Sequence, residues 1–185
     1  MLSKIKDGIH LVAIDDAPHK RGQTTTELFF VYCKGIYLEK VTHAPITVDG
    51  EDATRVILDE LNSKITDFTL ILLHGVTVGG LNIVDIRHLH EILGKPLLAI
   101  TENAPKHNSI LSAIKHMDNS AFRKALVKKA GPLSSFLTPQ GSIPVSYHNC
   151  GLSEEVAKEF FTKFSLRSRL PEQLLITHKI ASAWK

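Results

Sequence analysis

The hydrophobic period of the chain changes at Asp49-Gly50, and that change narrows the folds open to it. Before it, apolar residues run on or alternate, as strands require; after it, Ala53, Val56, Ile57 and Leu61 recur at helical spacing. HLVAIDD (10–16) is a nearly unbroken apolar run ending in two acids, which suits a strand buried on both faces. A polar loop, Ala17 to Thr26, with Pro18 and Gly22 as breakers, leads to TELFFVYC (26–33). That segment, a Lys34-Gly35 turn and IYLEKVTHAPITVD (36–49) predict a hairpin, because β-branched and aromatic residues flank a two-residue connection containing glycine. Pro45 lacks a ladder donor, so the third strand lies at an edge or bends there.

Beyond the change, residues 51–64 predict an amphipathic helix, FTLILLHG (68–75) a buried strand, 82–93 a helix closed by Gly94, and KPLLAIT (95–101) another strand. Such a crossover unit requires parallel neighbouring strands. Helices over 106–117 and 119–130 precede a loop that Gly131-Pro132 opens and that runs to about 142; IPVSYH (143–148) reads as a short strand. Ser153 caps a helix that buries Val156, Ala157, Phe160, Phe161 and Phe164, and Pro171 starts the last helix, with Leu174, Leu175 and His178 along one stripe. The fold class is α/β: a mixed sheet of three antiparallel strands, then parallel strands, flanked by helices. With 185 residues, one domain over 1–185 is expected.

Composition excludes several classes. Apolar residues at 43% and charged residues at 22% are ordinary globular values, against a disordered or fibrous chain. No apolar run approaches the ~20 residues that span a bilayer, and the N-terminus lacks the apolar segment of a signal peptide, so a cytoplasmic protein without a membrane partner is expected. Cys33 and Cys150 form neither a metal-ligand spacing nor a disulfide framework. A net charge of +3 permits a polyanionic partner without requiring one. Lys115, Arg123, Lys124, Lys128 and Lys129 make the densest positive segment, with Arg167, Arg169, Lys179 and Lys185 a second; they serve nucleic acid or are solvated helix faces. Among ten histidines, His88 and His90 are no helical ligand pair, since i and i+2 face apart.

Six side chains sit where strands give way to turns or helices: Asp15, Asp16, Asp49, Asp52, His74 and Asp85. Strand ends are rigid mounting points, and three or more oxygens gathered there bind a divalent metal. The alternative is that each acid only forms a turn or caps a helix. Gly75, Gly79 and Gly80 open a second possibility, because glycines ahead of a helix bring backbone N–H groups up to a phosphate of a nucleotide; a tight turn needs the same residues. In this setting Asn82 is a candidate helix cap and Asp85 lies in the first turn.

IDDAP (14–18), ITVDGEDAT (46–54), HGVTVGGLNIVDI (74–86), KPLLAITENAP (95–105) and PEQLLITHKIASA (171–183) resemble, in order, the motifs of a largely archaeal family, domain of unknown function ninety-nine, related in fold to endonuclease V. The resemblance covers nearly the whole chain and implies a ribonuclease H-like fold. It also implies a magnesium-dependent phosphodiesterase site built from acids on the first strand, after the third and at the end of the fourth. Asp15 resembles the first of these, with Asp16 beside it; Asp49 lies near the second, without a motif match; His74-Gly75 stands where both families usually carry Asp-Gly. The catalytic set implied is Asp15, Asp49 and His74, converging at the carboxyl end of the sheet, with Asp16 as a further metal ligand.

Imidazole at residue 74 has a physical consequence. Mg²⁺ prefers carboxylate and water oxygens, whereas imidazole suits Mn²⁺, Zn²⁺ and other transition metals. Losing a carboxylate also weakens the attraction for any dication. A degenerate site, a softer metal, a general acid or base at His74, and a histidine turned into a core hydrogen bond all remain open. Two functions follow: a nucleic-acid or nucleotide binder with a degenerate site, or a metal-dependent endonuclease acting on DNA or RNA with Mg²⁺ or Mn²⁺.

Overall fold

The computed structural model describes residues 2–63, 67–102 and 107–184. Residues 103–105 of the fourth motif, the expected helix ends at 64 and 106, and Lys185 of the basic tail lie outside the described residues. The strands are β1 (His10–Asp16), β2 (Thr25–Lys34), β3 (Tyr37–Thr47), β4 (Leu70–His74), β5 (Thr77–Val78), β6 (Asn82–Ile83), β7 (Leu97–Thr101), β8 (Ser134–Phe136) and β9 (Val145–Cys150). The helices are α1 (Ala53–Ser63), α2 (Ile86–Leu93), α3 (His107–Ile114), α4 (Ser120–Lys129), α5 (Glu154–Phe164) and α6 (Glu172–Ala183).

Seven strands form one sheet in the order β3-β2-β1-β4-β7-β9-β8. β1, β2 and β3 are antiparallel neighbours, and β1–β4 and β4–β7 are parallel, the mixed arrangement that the change of period predicts. β3 takes the sheet edge, where the missing N–H of Pro45 costs least. The central strands β1, β4 and β7 bury both faces, whereas the edge strand β3 is mostly exposed. Val12, Ile14, Ile71 and Leu73 pack with Ala53 and Ile57 of α1 and Ile86 and Leu89 of α2. Leu11, Ala13, Leu70 and Leu72 face the other way, onto Phe160 and Phe161 of α5 and Leu174 of α6. Each buried phenylalanine there contributes about 1.5–3 kcal/mol.

Four expectations need correction. The helix expected from residue 82 begins at Ile86, because Asn82–Ile83 pair with Thr77–Val78 in a two-stranded ribbon. Asp85 is therefore the N-cap, its carboxylate accepting the His88 N–H at 3.0 Å. Asn82 caps a different helix, accepting the Ala53 N–H of α1 at 3.1 Å. Finally, the loop expected to run to about 142 contains β8, which pairs with β9. No helix among the described residues is long and apolar enough to cross a membrane.

Candidate metal centre at the carboxyl end of the sheet

Strand parity places the first two groups. Leu11 and Ala13 of β1 face the α5/α6 layer, so the next odd position, Asp15, points toward α6. On β4 the even residues Leu70 and Leu72 face that layer, and His74 follows them. The parallel register pairs Ile14 with Leu73, which sets Asp15 beside His74 on one face. His74 Nδ1 lies 3.0 Å from Asp15 Oδ2. A third group completes the cluster: His178 of α6 brings its Nδ1 within 2.9 Å of the same oxygen. The two imidazoles meet edge to face, centroids 5.3 Å apart. One ligand atom from each of Asp15, His74 and His178 lies within 4.8 Å of the others.

Asp15 is buried and doubly engaged, since its Oδ1 accepts the Asp16 N–H at 3.0 Å while Oδ2 serves both rings. Burial works against a charged His74, but the hydrogen bond and charge of Asp15, with Glu102 and Asp16 behind, prevail and hold its pKa above the ordinary value. Burial and the charge of Asp15 push the Asp16 carboxyl up, although the Gly79 N–H opposes them. An opening of about 440 Å³ lies over the cluster, lined also by Asp16, His19 and Ser182. One carboxylate and two imidazoles are a donor set for Mn²⁺, Zn²⁺ or another transition metal rather than for Mg²⁺. The nitrogen-to-oxygen separations suit shared coordination, because adjacent ligands about 2.1 Å from an octahedral ion stand ~3 Å apart.

The other strand-end acids have structural work. Asp49, at φ 55°, accepts the Leu81 N–H at 2.8 Å and lies outside the three-residue group. Gly80 is needed there, at φ 84°, because a Cβ would stand 2.4 Å from Asp49 Oδ1. Asp52 binds Thr47 and Asn82, and Asp85 caps α2 and pairs with Lys129 at 2.7 Å. The glycine loop, including Gly75 and Gly79 at φ 85° and 51°, forms the turns around β5 and β6. Its amides at Gly79 and Leu81 meet the carboxylates of Asp16 and Asp49, so these donors are not presented to a phosphate.

The basic segment divides. Arg123 is buried and donates to the carbonyls of Asp49, Gly50, Leu81 and Asp118, which ties α4 to the loops beside β3 and β6. Lys129 pairs with Asp85, while Lys115 and Lys128 are exposed and Lys124 is half-buried. In the tail, Arg167 pairs with Glu172 and Arg169 with Glu102.

His178 is the group that reading of the sequence misses as a ligand. The available signal was its place in THKIASA, on the border of the buried face marked by Leu174, Thr177 and Ala181, with half of the side chain exposed. A polar residue at that border faces the strand ends that α6 crosses.

A protein-family model described as endonuclease dU matches residues 7–185. A UPF0215 protein of Thermococcus gammatolerans is 33% identical over 190 residues, covering 99% of this chain and 95% of its own length. One from Methanopyrus kandleri is 30% identical over 184 residues, covering 98% and 93%. A protein of unknown function from Archaeoglobus fulgidus superposes with a TM-score of 0.82 at 24% identity, covering 95% of this chain and 97% of that one. Endonuclease V of Ciona intestinalis, solved with an inosine-containing 24mer DNA, superposes with a TM-score of 0.62 at 13% identity, covering 94% and 84%. At these identities the superpositions show a shared fold, the mixed sheet flanked by helices described above. The chain belongs to the endonuclease dU family.

Proposed function

We propose that this protein is a metal-dependent phosphodiesterase acting on nucleic acid, with Asp15, His74 and His178 holding one divalent transition-metal ion. The observation that carries the reading is the meeting of both imidazoles on Asp15 Oδ2 at the carboxyl end of parallel strands. When bound, such an ion polarises a phosphoryl oxygen and lowers the pKa of water. Asp15 orients both rings, and the Asp16 N–H orients Asp15. Asp16 lines the same opening, and its carboxylate, made more basic by burial and by the charge of Asp15, is placed to take a proton from an attacking water. His178 adds a third ligand atom to those of Asp15 and His74, which weighs against a degenerate site.

One observation favours a second reading, a binder that does not cleave: the Asp49 carboxylate is occupied by Leu81, leaving fewer oxygens than a two-metal clamp uses. Labelled single- and double-stranded oligonucleotides, with and without one deoxyuridine as the family name suggests, should be incubated with Mn²⁺ and separately Mg²⁺. Cleavage with Mn²⁺ that Asp15→Asn abolishes supports the proposal. Salt-dependent binding without cleavage under any metal supports the second reading.

A further inference from the structure

We propose that Trp184 is a stacking platform for a base of the bound strand, set at the far end of a groove that leads away from the Asp15 cluster. The inference rests on the nucleic-acid reading above. A groove of about 690 Å³ runs between the loop after β1, the start of β2 and the end of α6, with Lys20, Gln23 and Trp184 on its walls. It shares Pro18, His19 and Ser182 with the opening over Asp15, so the two adjoin.

The indole is braced from within and open outward. Its ring meets Phe29 edge to face at 5.4 Å and His43 at 4.9 Å, and His43 Nδ1 is held 2.9 Å from Glu27. Phe29 is buried beneath, yet Trp184 keeps 47% of its surface exposed. A rigid, half-open aromatic face is what base stacking uses, since every base has a π-face. Charge points to the same occupant. His19 and Lys20 line the groove, Arg21 follows them in the lining of a neighbouring hollow, and the carboxylate of Glu27 on the groove wall is engaged by His43.

Spacing agrees as well. Trp184, the residue that ends α6, lies six residues beyond His178, or about 9 Å along the axis at ~1.5 Å per residue. A stacked strand advances about 3.4 Å per nucleotide, so a phosphate at Asp15 places the stacked base roughly two or three nucleotides away.

The chain has one tryptophan, so indole emission reports residue 184 alone. The wild-type protein in EDTA should be titrated with an unlabelled single-stranded 12-mer while emission and acrylamide quenching are followed; anisotropy of a labelled copy gives the affinity independently. Emission should fall in step with binding, and acrylamide access should drop. Trp184→Ala should weaken binding ~5- to 150-fold, the fold-change that stacking of one base represents, while Trp184→Phe stays within about threefold. Saturation by anisotropy with unchanged emission and acrylamide access would overturn the platform and leave the proposed function standing. Absence of binding by anisotropy would overturn the platform, while the proposed function, being metal-dependent, stands or falls on cleavage with Mn²⁺.

Discussion

Removing His178 separates a metal ligand from a structural histidine. Without metal, His178→Ala deletes one hydrogen bond to Asp15, which keeps the Asp16 N–H and His74. The side chain is 51% exposed, so water replaces much of what is lost, and the cost to stability is about 1 kcal/mol or less. The cost to metal binding is much larger. A four-ligand zinc site is worth about 10–16 kcal/mol, or about 2.5–4 per ligand, and losing one should weaken Mn²⁺ or Zn²⁺ binding roughly 10²- to 10³-fold. Isothermal titration calorimetry measures the affinity, and urea unfolding in EDTA measures the stability. His90→Ala is the control, because His90 Nδ1 is held by the Lys95 carbonyl at 2.7 Å and α2 packs on the sheet face opposite α6. Metal affinity in His178→Ala within threefold of the parent would refute the assignment, and so would a loss in His90→Ala of the same size.

Further consequences are open to measurement. His74→Asp should shift preference from Mn²⁺ toward Mg²⁺ in the same calorimetric titration, and equal, strong Mg²⁺ binding by both proteins would remove the significance given to residue 74. If the α4 face meets a phosphate backbone, Lys124→Ala and Lys128→Ala should each flatten the plot of log affinity against log salt by about 0.7–0.9, whereas unchanged slopes move the contact elsewhere. Asn82→Ala removes three hydrogen bonds, to Ala53, Thr47 and Asp52, and should cost about 3 kcal/mol in urea unfolding at pH 7. Asn82 and Thr47 hold the Asp52 carboxyl below its usual pKa against the opposing effect of burial, so this stabilisation is present above the ordinary carboxylate range and fades as pH falls through the lowered value. The Asn82→Ala deficit should shrink in acid accordingly. Burial, helped by Glu39, pushes the Cys33 thiol up to about 11, and both cysteines are buried, so a thiol reagent at pH 8 should label neither until the protein unfolds.

Much of this was legible in the chain because local patterns and the fold agree. The run HLVAIDD and the phenylalanines of α5 each specify their element, Pro45 marks the sheet edge, and the glycine turn specifies the hairpin, although it closes at Gly35-Ile36 rather than Lys34-Gly35 because Lys34 still pairs with Tyr37. Asp15 and His74 were readable as strand-end groups, and parity along β1 and β4 explains why they share a face. Two kinds of feature were not readable. Asn82 and Asp49 act across 29 and 32 residues of sequence, on Ala53 and Leu81, and no local pattern reports a partner that distant. Arg123 looks like a surface cation in SAFRKALVKK, yet three of its carbonyl partners lie 42 or more residues away. His178 was hidden for the same reason: its partner is 163 residues upstream, and only the packing of α6 across β1 brings them together.

The central claim is that Asp15, His74 and His178 form one metal site. Crystals soaked in Mn²⁺ and measured for anomalous scattering test it most directly. The account predicts one strong peak about 2.0–2.3 Å from Asp15 Oδ2 and from the Nδ1 atoms of His74 and His178, absent in crystals of Asp15→Asn. A map without density there at saturating Mn²⁺, or with the ion on Asp49 or Asp52 instead, would contradict it.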